Sequence, residues 1–199
     1  MSKKILITGF QPFLSEKINP SELLLDKIKQ SATPVDTLIL PVSYNRSFTE
    51  FIKYYQEHGP YEVVLMLGQA GGRKAICLER IAINWYETSH PDEDGFCPPV
   101  GRINPGGPDA YISDFFPTKW KTQLSQFAPV EVSHSAGVFV CNSLYYQAQA
   151  KLKNDSAILF AHLPYLPEQV LEKPTTTPSM ELEIQLKVVL SLIDLINKI

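Results

Sequence analysis

The sequence predicts an α/β domain in which a mostly parallel sheet lies between helices. Two observations carry that prediction. Short β-branched or apolar runs alternate with longer amphipathic stretches along the chain, the order a layered α/β domain requires. At 199 residues and 44% hydrophobic content, the chain is also long enough for one domain to bury about 70% of the surface its unfolded form exposes. A single unit over residues 1–199 is therefore expected. There is no internal repeat, low-complexity tract or linker to divide it.

The elements follow in order. Residues 4–8 form an apolar run that stops at Gly9. Asn19 is placed to cap a helix with Pro20 at its first position and Glu22 closing a capping box, while Leu23, Leu24 and Ile28 supply the apolar face. Residues 35–42 read as a second strand, 43–58 as a helix, and 61–67 as a buried strand stopping at Gly68, which completes βαβαβ. Segments 130–133 and 157–161 read as two further core strands with a helix over 138–151 between them, and 181–199 as a closing amphipathic helix. Residues 88–108, rich in Pro, Gly and Asp, are expected to form an extended loop, and long loops in compact domains tend to be functional. In an open sheet of this kind ligands bind beyond the carboxyl ends of the strands, after Thr8, Leu67 and Ala161.

Composition narrows the function. Lys and Arg number 18 against 21 Asp and Glu, a net charge of −3 that advertises no surface for a nucleic acid. The N-terminal apolar run is too short for a signal peptide, and no window reaches the length of a membrane span. Three cysteines, Cys77, Cys97 and Cys141, suit neither a disulfide framework nor a paired metal site, so a cytoplasmic chain with reduced thiols is expected.

Cys141 lies where a small-residue turn, Ser135-Ala136-Gly137, leads from a strand into a helix. The positive end of a helix dipole lowers a thiol's pKa there, and the free N–H groups of the first turn can hold an oxyanion. On that ground Cys141 is also expected to be the thiol alkylated fastest. The alternative is an inert core cysteine. His162 sits at the carboxyl end of a predicted strand, ahead of a loop stiffened by Pro164 and Pro167. A Cys and a His brought together from different elements are what thiol activation needs; a histidine that only hydrogen-bonds at a strand end is the competing reading. Glu79, between apolar flanks, is a carboxylate in need of a partner, for which an imidazole N–H or the adjacent Arg80 qualifies. His58 closes a helix beside Gly59 and His134 has no evident acidic partner, so both are set aside. The segment Gly68 to Arg73 lacks the spacing of nucleotide-binding glycine loops and reads as a loop exposing backbone groups to some ligand.

Five segments together resemble the pyroglutamyl peptidase type I family of cysteine peptidases, also called pyrrolidone-carboxylate peptidases. They are Thr8-Gly9-Phe10-x-Pro12-Phe13, Gly68-Gln69-Ala70-Gly71-Gly72-Arg73, Glu79-Arg80-Ile81-Ala82-Ile83-Asn84, Ser135-Ala136-Gly137-x-Phe139-Val140-Cys141-Asn142, and His162-x-Pro164-Tyr165-x-Pro167-Glu168-Gln169. The resemblance implies a three-layer α/β/α sandwich with a mostly parallel, mixed central sheet. It implies removal of N-terminal pyroglutamate from peptides through a thioester, with Cys141 as nucleophile, His162 as base and Glu79 as the acid that orients it. Phe10 and Phe13 would pack on the lactam ring, and backbone groups near Gln69 would bond to its amide and carbonyl. No metal or cofactor is implied, and a homo-oligomer, dimer or tetramer, is compatible with it. The chain departs from the family at Leu14-Ser15, where Gly-Gly is usual, and at Ser89, where an arginine is common. Those departures leave two alternatives: a pyroglutamyl-binding homologue without turnover and, from the glycine segment, a phosphorylase or nucleotide-binding protein.

Overall fold

The computed structural model describes residues 3–113 and 118–199, with residues 118 and 119 as backbone only. Six strands form one sheet in the order β2-β1-β3-β8-β4-β7. They are β1 (Ile5–Phe10), β2 (Asp36–Leu40), β3 (Val63–Gln69), β4 (Ile76–Glu79), β7 (Val130–Ser133) and β8 (Ala157–Leu163). All neighbours run parallel except β4 and β8, which are antiparallel, so the sheet is mixed. A separate antiparallel pair is made by β5 (Ile81–Ile83) and β6 (Ala110–Ile112).

Side chains alternate across a strand, and the core divides accordingly. Ile5, Ile7, Leu65, Leu67, Leu159 and Ala161 face α1 (Pro20–Gln30), α3 (Thr118–Leu124) and α5 (Leu182–Ile196). Leu6, Val64, Met66, Ile158 and Phe160 face α2 (Arg46–His58) and α4 (Val140–Leu152). The result is the three-layer α/β/α sandwich.

The start of α1 shows how local chemistry sets the loop ends. Asn19 accepts from the Ser21 N–H at 3.0 Å, with Pro20 at the first position. Ser21, rather than Glu22, completes the arrangement: its hydroxyl donates to Asn19 Oδ1 at 2.8 Å and accepts from the Phe10 N–H at 2.9 Å. That ties the helix to the end of β1. Leu24, Leu25 and Ile28 are the buried face, while Leu23 is only partly covered.

Several boundaries differ from the sequence reading. Both β3 and β8 run two residues further than their apolar runs suggest, so that Gly68, Gln69 and His162 lie within the sheet, paired Gly68 with His162 and Gln69 with Leu163. The helix α2 begins at Arg46, three residues late. The short strands β4, β5 and β6 and the seven-residue α3 carry too little periodicity to be read from sequence. The segment 88–108 contains no strand, and its order comes from buried polar anchors. Asp92 accepts the N–H groups of Tyr44, Asp94 and Phe96, and Asn84 exchanges hydrogen bonds with the backbone of Asn104 while donating to Pro108 O.

Candidate active site

Strand alternation, register and one helix start converge on the α4 face of the sheet. His162 is the penultimate residue of β8 and, two positions after Phe160, points to the same side. Its cross-strand neighbours are Gly68 on β3 and Cys77 on β4. Glu79 ends β4 opposite Phe160, one diagonal step from His162, and its Oε1 lies 2.8 Å from His162 Nδ1. Both side chains are buried, Glu79 completely. Arg80 is exposed. The cation that pairs with Glu79 is Arg73, whose Nη1 donates to the same Oε1 at 2.6 Å.

Cys141 is the second residue of α4, after an N-cap at Phe139. The helix start lies over Gly68 so closely that a Cβ on that glycine would stand 2.9 Å from the Cys141 Sγ and 2.9 Å from Phe160 Cζ. Because Gly68 is the register partner of His162, the missing side chain makes room for the thiol next to the imidazole. Replacing it should therefore be costly: Gly68→Ala is expected to displace the thiol, lowering kcat at least tenfold and stability by about 1–3 kcal/mol. Steady-state kinetics beside urea denaturation would check this, and an alanine variant with unchanged turnover would contradict the placement.

The helix start also holds the end of β5. Asn142 accepts from the Ile83 N–H and donates to the Ile83 carbonyl, both at 2.9 Å. Tyr145 donates to the carbonyl of Glu79 at 3.1 Å. The elements carrying Cys141 and Glu79 are thus fixed to one another through backbone contacts that leave the reactive atoms unengaged.

The electrostatics differ from what the helix start alone suggests. Burial pushes the Cys141 thiol up to about 12; the Glu79 charge acts in the same direction, while Arg73 and a backbone N–H act against it. As a residue Cys141 is half-buried, and its sulfur lies against Gly68. The dipole is therefore outweighed by desolvation. Burial likewise holds His162 below its ordinary 6.5; the Glu79 contact raises it and Arg73 lowers it. Both shifts favour the uncharged forms of the thiol and the imidazole.

Against this geometry, the comparisons with known proteins are decisive. A sequence model described as pyroglutamyl peptidase matches residues 3–198. The chain belongs to the pyroglutamyl peptidase family. A pyrrolidone-carboxylate peptidase of Staphylococcus aureus is 41% identical over 186 residues, covering 90% of this chain and 86% of the relative. The crystal structure of the pyrrolidone carboxyl peptidase of Fervidobacterium islandicum superposes with a TM-score of 0.89 at 39% identity, covering 97% of this chain and 98% of the other. That of the pyroglutamyl peptidase I of Bacillus amyloliquefaciens gives 0.87 at 34% identity, covering 95% and 92%. Membership of the pyroglutamyl peptidase family makes the protein a hydrolase of the cysteine-peptidase type.

Around the thiol, the residues that the family resemblance singles out fall into different settings. Phe10 ends β1 and is fully enclosed in the core on the α4 side. Phe13 is partly exposed and stacks on Phe139, centroids 6.1 Å apart. Phe139 in turn meets Tyr44 edge-on at 5.5 Å, and Tyr44 meets Tyr86 at 5.3 Å. Gln69 is buried, and its side-chain Oε1 accepts from Gln169 Nε2 at 2.8 Å. Ser89 and His90 are exposed in a turn closed by Thr88. Leu14 and Ser15, standing where the pyroglutamyl peptidase family usually has two glycines, both adopt the left-handed region, with φ of 52° and 65°. Side chains in that region cost about 1–2 kcal/mol each, and the strain is held by the Leu14 N–H donating to Glu93 Oε1 at 2.9 Å.

Arg73, Gly68 and Phe139 appear in the sequence reading only as members of motifs, with no individual role, and Tyr44 not at all. Arg73 sits six positions before Glu79 at the end of the glycine segment, and that proximity of opposite charges was the available signal. Tyr44 carries a testable oddity: its ring is buried and its hydroxyl has no hydrogen-bond partner among the described residues. An unsatisfied buried hydroxyl is unfavourable, so Tyr44→Phe should stabilise the free protein by about 1 kcal/mol, measured by urea or thermal denaturation; a destabilised variant would show that the hydroxyl is engaged.

Proposed function

We propose that the chain hydrolyses the bond following an N-terminal pyroglutamyl residue, with Cys141 as nucleophile, His162 as general base and acid, and Glu79 as the carboxylate that orients it. The observation that carries this reading is the buried 2.8 Å contact between Glu79 and His162 beside a thiol lodged over Gly68 at a helix start. Burial favours the uncharged thiol and imidazole, so in this reading proton transfer accompanies attack. His162 Nε2 takes the thiol proton as Sγ bonds to the pyroglutamyl carbonyl carbon. The oxyanion faces the N–H groups of the first turn of α4. The imidazolium, stabilised by Glu79, protonates the departing amine as the C–N bond breaks. Water, deprotonated by His162, then cleaves the thioester to pyroglutamate, and the proton returns to Cys141.

Phe13 and Phe139 form the aromatic wall of the lactam pocket in this reading and Phe10 its base, with backbone groups near Gln69 pairing with the lactam. Flat, neutral rings fit aromatic walls, and polar backbone groups reject analogues that leave them unpaired. Residues 1–199 act as one catalytic unit on peptides in the cytoplasm, alone or as a homo-oligomer. In keeping with this, all three cysteines are free, and among the described residues no helix is long and apolar enough to cross a membrane.

The test is release of a fluorophore from a pyroglutamyl amide by the purified chain, without added metal or phosphate. Turnover is expected, and a prolyl amide, lacking the lactam carbonyl, should be a much poorer substrate. Tight binding without turnover would instead identify a pyroglutamyl-binding homologue.

A further inference from the structure

Glu79 holds two partners on one oxygen. Oε1 accepts from Arg73 Nη1 at 2.6 Å and contacts His162 Nδ1 at 2.8 Å, whereas Oε2 is buried with no partner among the described residues. The other arm of the guanidinium reaches the Ser135 carbonyl at 3.3 Å, in the turn that leads to Cys141. Arg73 is partly exposed, its side chain at 28%, while Glu79 is at 0%. The arginine therefore supplies a cation from the rim to a carboxylate at the bottom of the site.

That arrangement settles a charge problem. A fully buried carboxylate with no countercharge is strongly disfavoured and takes up a proton or recruits one on a neighbour. The groups facing His162 are Glu79 and Cys77 on β4, Cys141 and Tyr145 on α4, and Arg73 in the loop after β3; Gly68 on β3 contributes no side chain. Arg73 is the one cation among them.

We propose that Arg73 is a positioning residue that fixes the charge state of the Glu79–His162 pair, its guanidinium neutralising Glu79 so that His162 remains an uncharged base able to take the Cys141 proton. The inference rests on the hydrolytic reading above for its consequence in catalysis, and on the shared oxygen for its physical basis. Removing the cation lets the pair bind one more proton at a higher pH than in the wild type, and the outcome for catalysis does not depend on where that proton sits. On the imidazole, it leaves no base. On Glu79, it makes the acid a donor to Nδ1, which places the remaining imidazole proton on Nε2, the nitrogen that should receive the thiol proton.

The experiment compares wild type, Arg73→Met and Arg73→Lys by the pH dependence of kcat/KM and by NMR titration of His162 in the free protein. For Arg73→Met the acid limb should move to higher pH by about one unit or more, so that activity below the limb falls at least tenfold further than the loss at the plateau. Arg73→Lys keeps the charge without the fork, so its limb should stay near that of the wild type while kcat drops. Arg73→Gln, which keeps a donor without the charge, should behave as Arg73→Met and serves in its place if the methionine variant does not fold. A role confined to anchoring the Ser135 turn would lower activity at every pH and leave the limb and the NMR titration where they are, and that result overturns the proposal. Lack of turnover in the wild type would count against the hydrolytic reading alone, since the NMR comparison still reports whether Arg73 sets the protonation of the pair.

Discussion

Cys141→Ala should abolish hydrolysis of a pyroglutamyl amide, with a loss approaching the 10⁶-fold or so seen when a serine protease loses its nucleophile, while Cys77→Ala and Cys97→Ala keep most of the wild-type rate. The three thiols differ in setting rather than in kind. Cys97 is exposed on the 88–108 loop, with its Sγ 3.3 Å from the Thr88 carbonyl. Cys77 is buried in β4, where its Sγ donates to the Ala75 carbonyl at 3.5 Å. Cys77 also neighbours His162 across the sheet, but only Cys141 combines a helix start with a place over Gly68, the register partner of His162 on β3. Alkylation should not follow the same order. With burial holding the Cys141 thiol near 12, exposed Cys97 should react first with iodoacetamide in the free protein, whereas the helix dipole taken alone predicts Cys141. Peptide mapping after partial labelling would show Cys97 modified before activity is lost; loss of activity in step with the first label on Cys141 would show that the thiol is already ionised at rest.

His162→Ala should lower kcat by about 10²–10⁴, the usual contribution of a general base, and Glu79→Gln by less. The reason lies in the shared oxygen. A glutamine carbonyl can occupy the Oε1 position and still accept from Arg73 Nη1 and His162 Nδ1, while its NH₂ takes the Oε2 position, which has no partner to lose. Flipping the amide would set NH₂ against the guanidinium, so one orientation is enforced and the imidazole tautomer survives. What disappears is the negative charge that, in the proposed mechanism, stabilises the imidazolium. Both variants should fold, as checked by circular dichroism. Normal turnover in a folded His162→Ala protein would make the buried pair purely structural.

Much of this arrangement was legible in the sequence because it is local. The start of α1 is written in Asn19 and Pro20, and the residues of the candidate site sit in short motifs at the ends of apolar runs. What was not legible depends on register. Nothing local says that Gly68 pairs with His162 or that β4 runs antiparallel to β8, yet those pairings bring Glu79, His162 and Cys141 to one face. The same holds for the oxygen that Arg73 reaches, and for the Cys141 thiol, where burial set by distant residues such as Phe160 and Gly68 acts against the helix start. Gln69 shows the converse. Its side chain looks available in the glycine segment, but Gln169, a hundred positions later, already holds it.

Whether Cys141 carries the pyroglutamyl group through a thioester is read out by acid quenching of the enzyme during turnover of a pyroglutamyl ester or amide, followed by intact-mass analysis and peptide mapping. A single added pyroglutamyl group is expected, located on the peptide containing Cys141 and absent from the Cys141→Ala protein. A pyroglutamyl adduct on Cys77 or Cys97, or full turnover by Cys141→Ala, would contradict it.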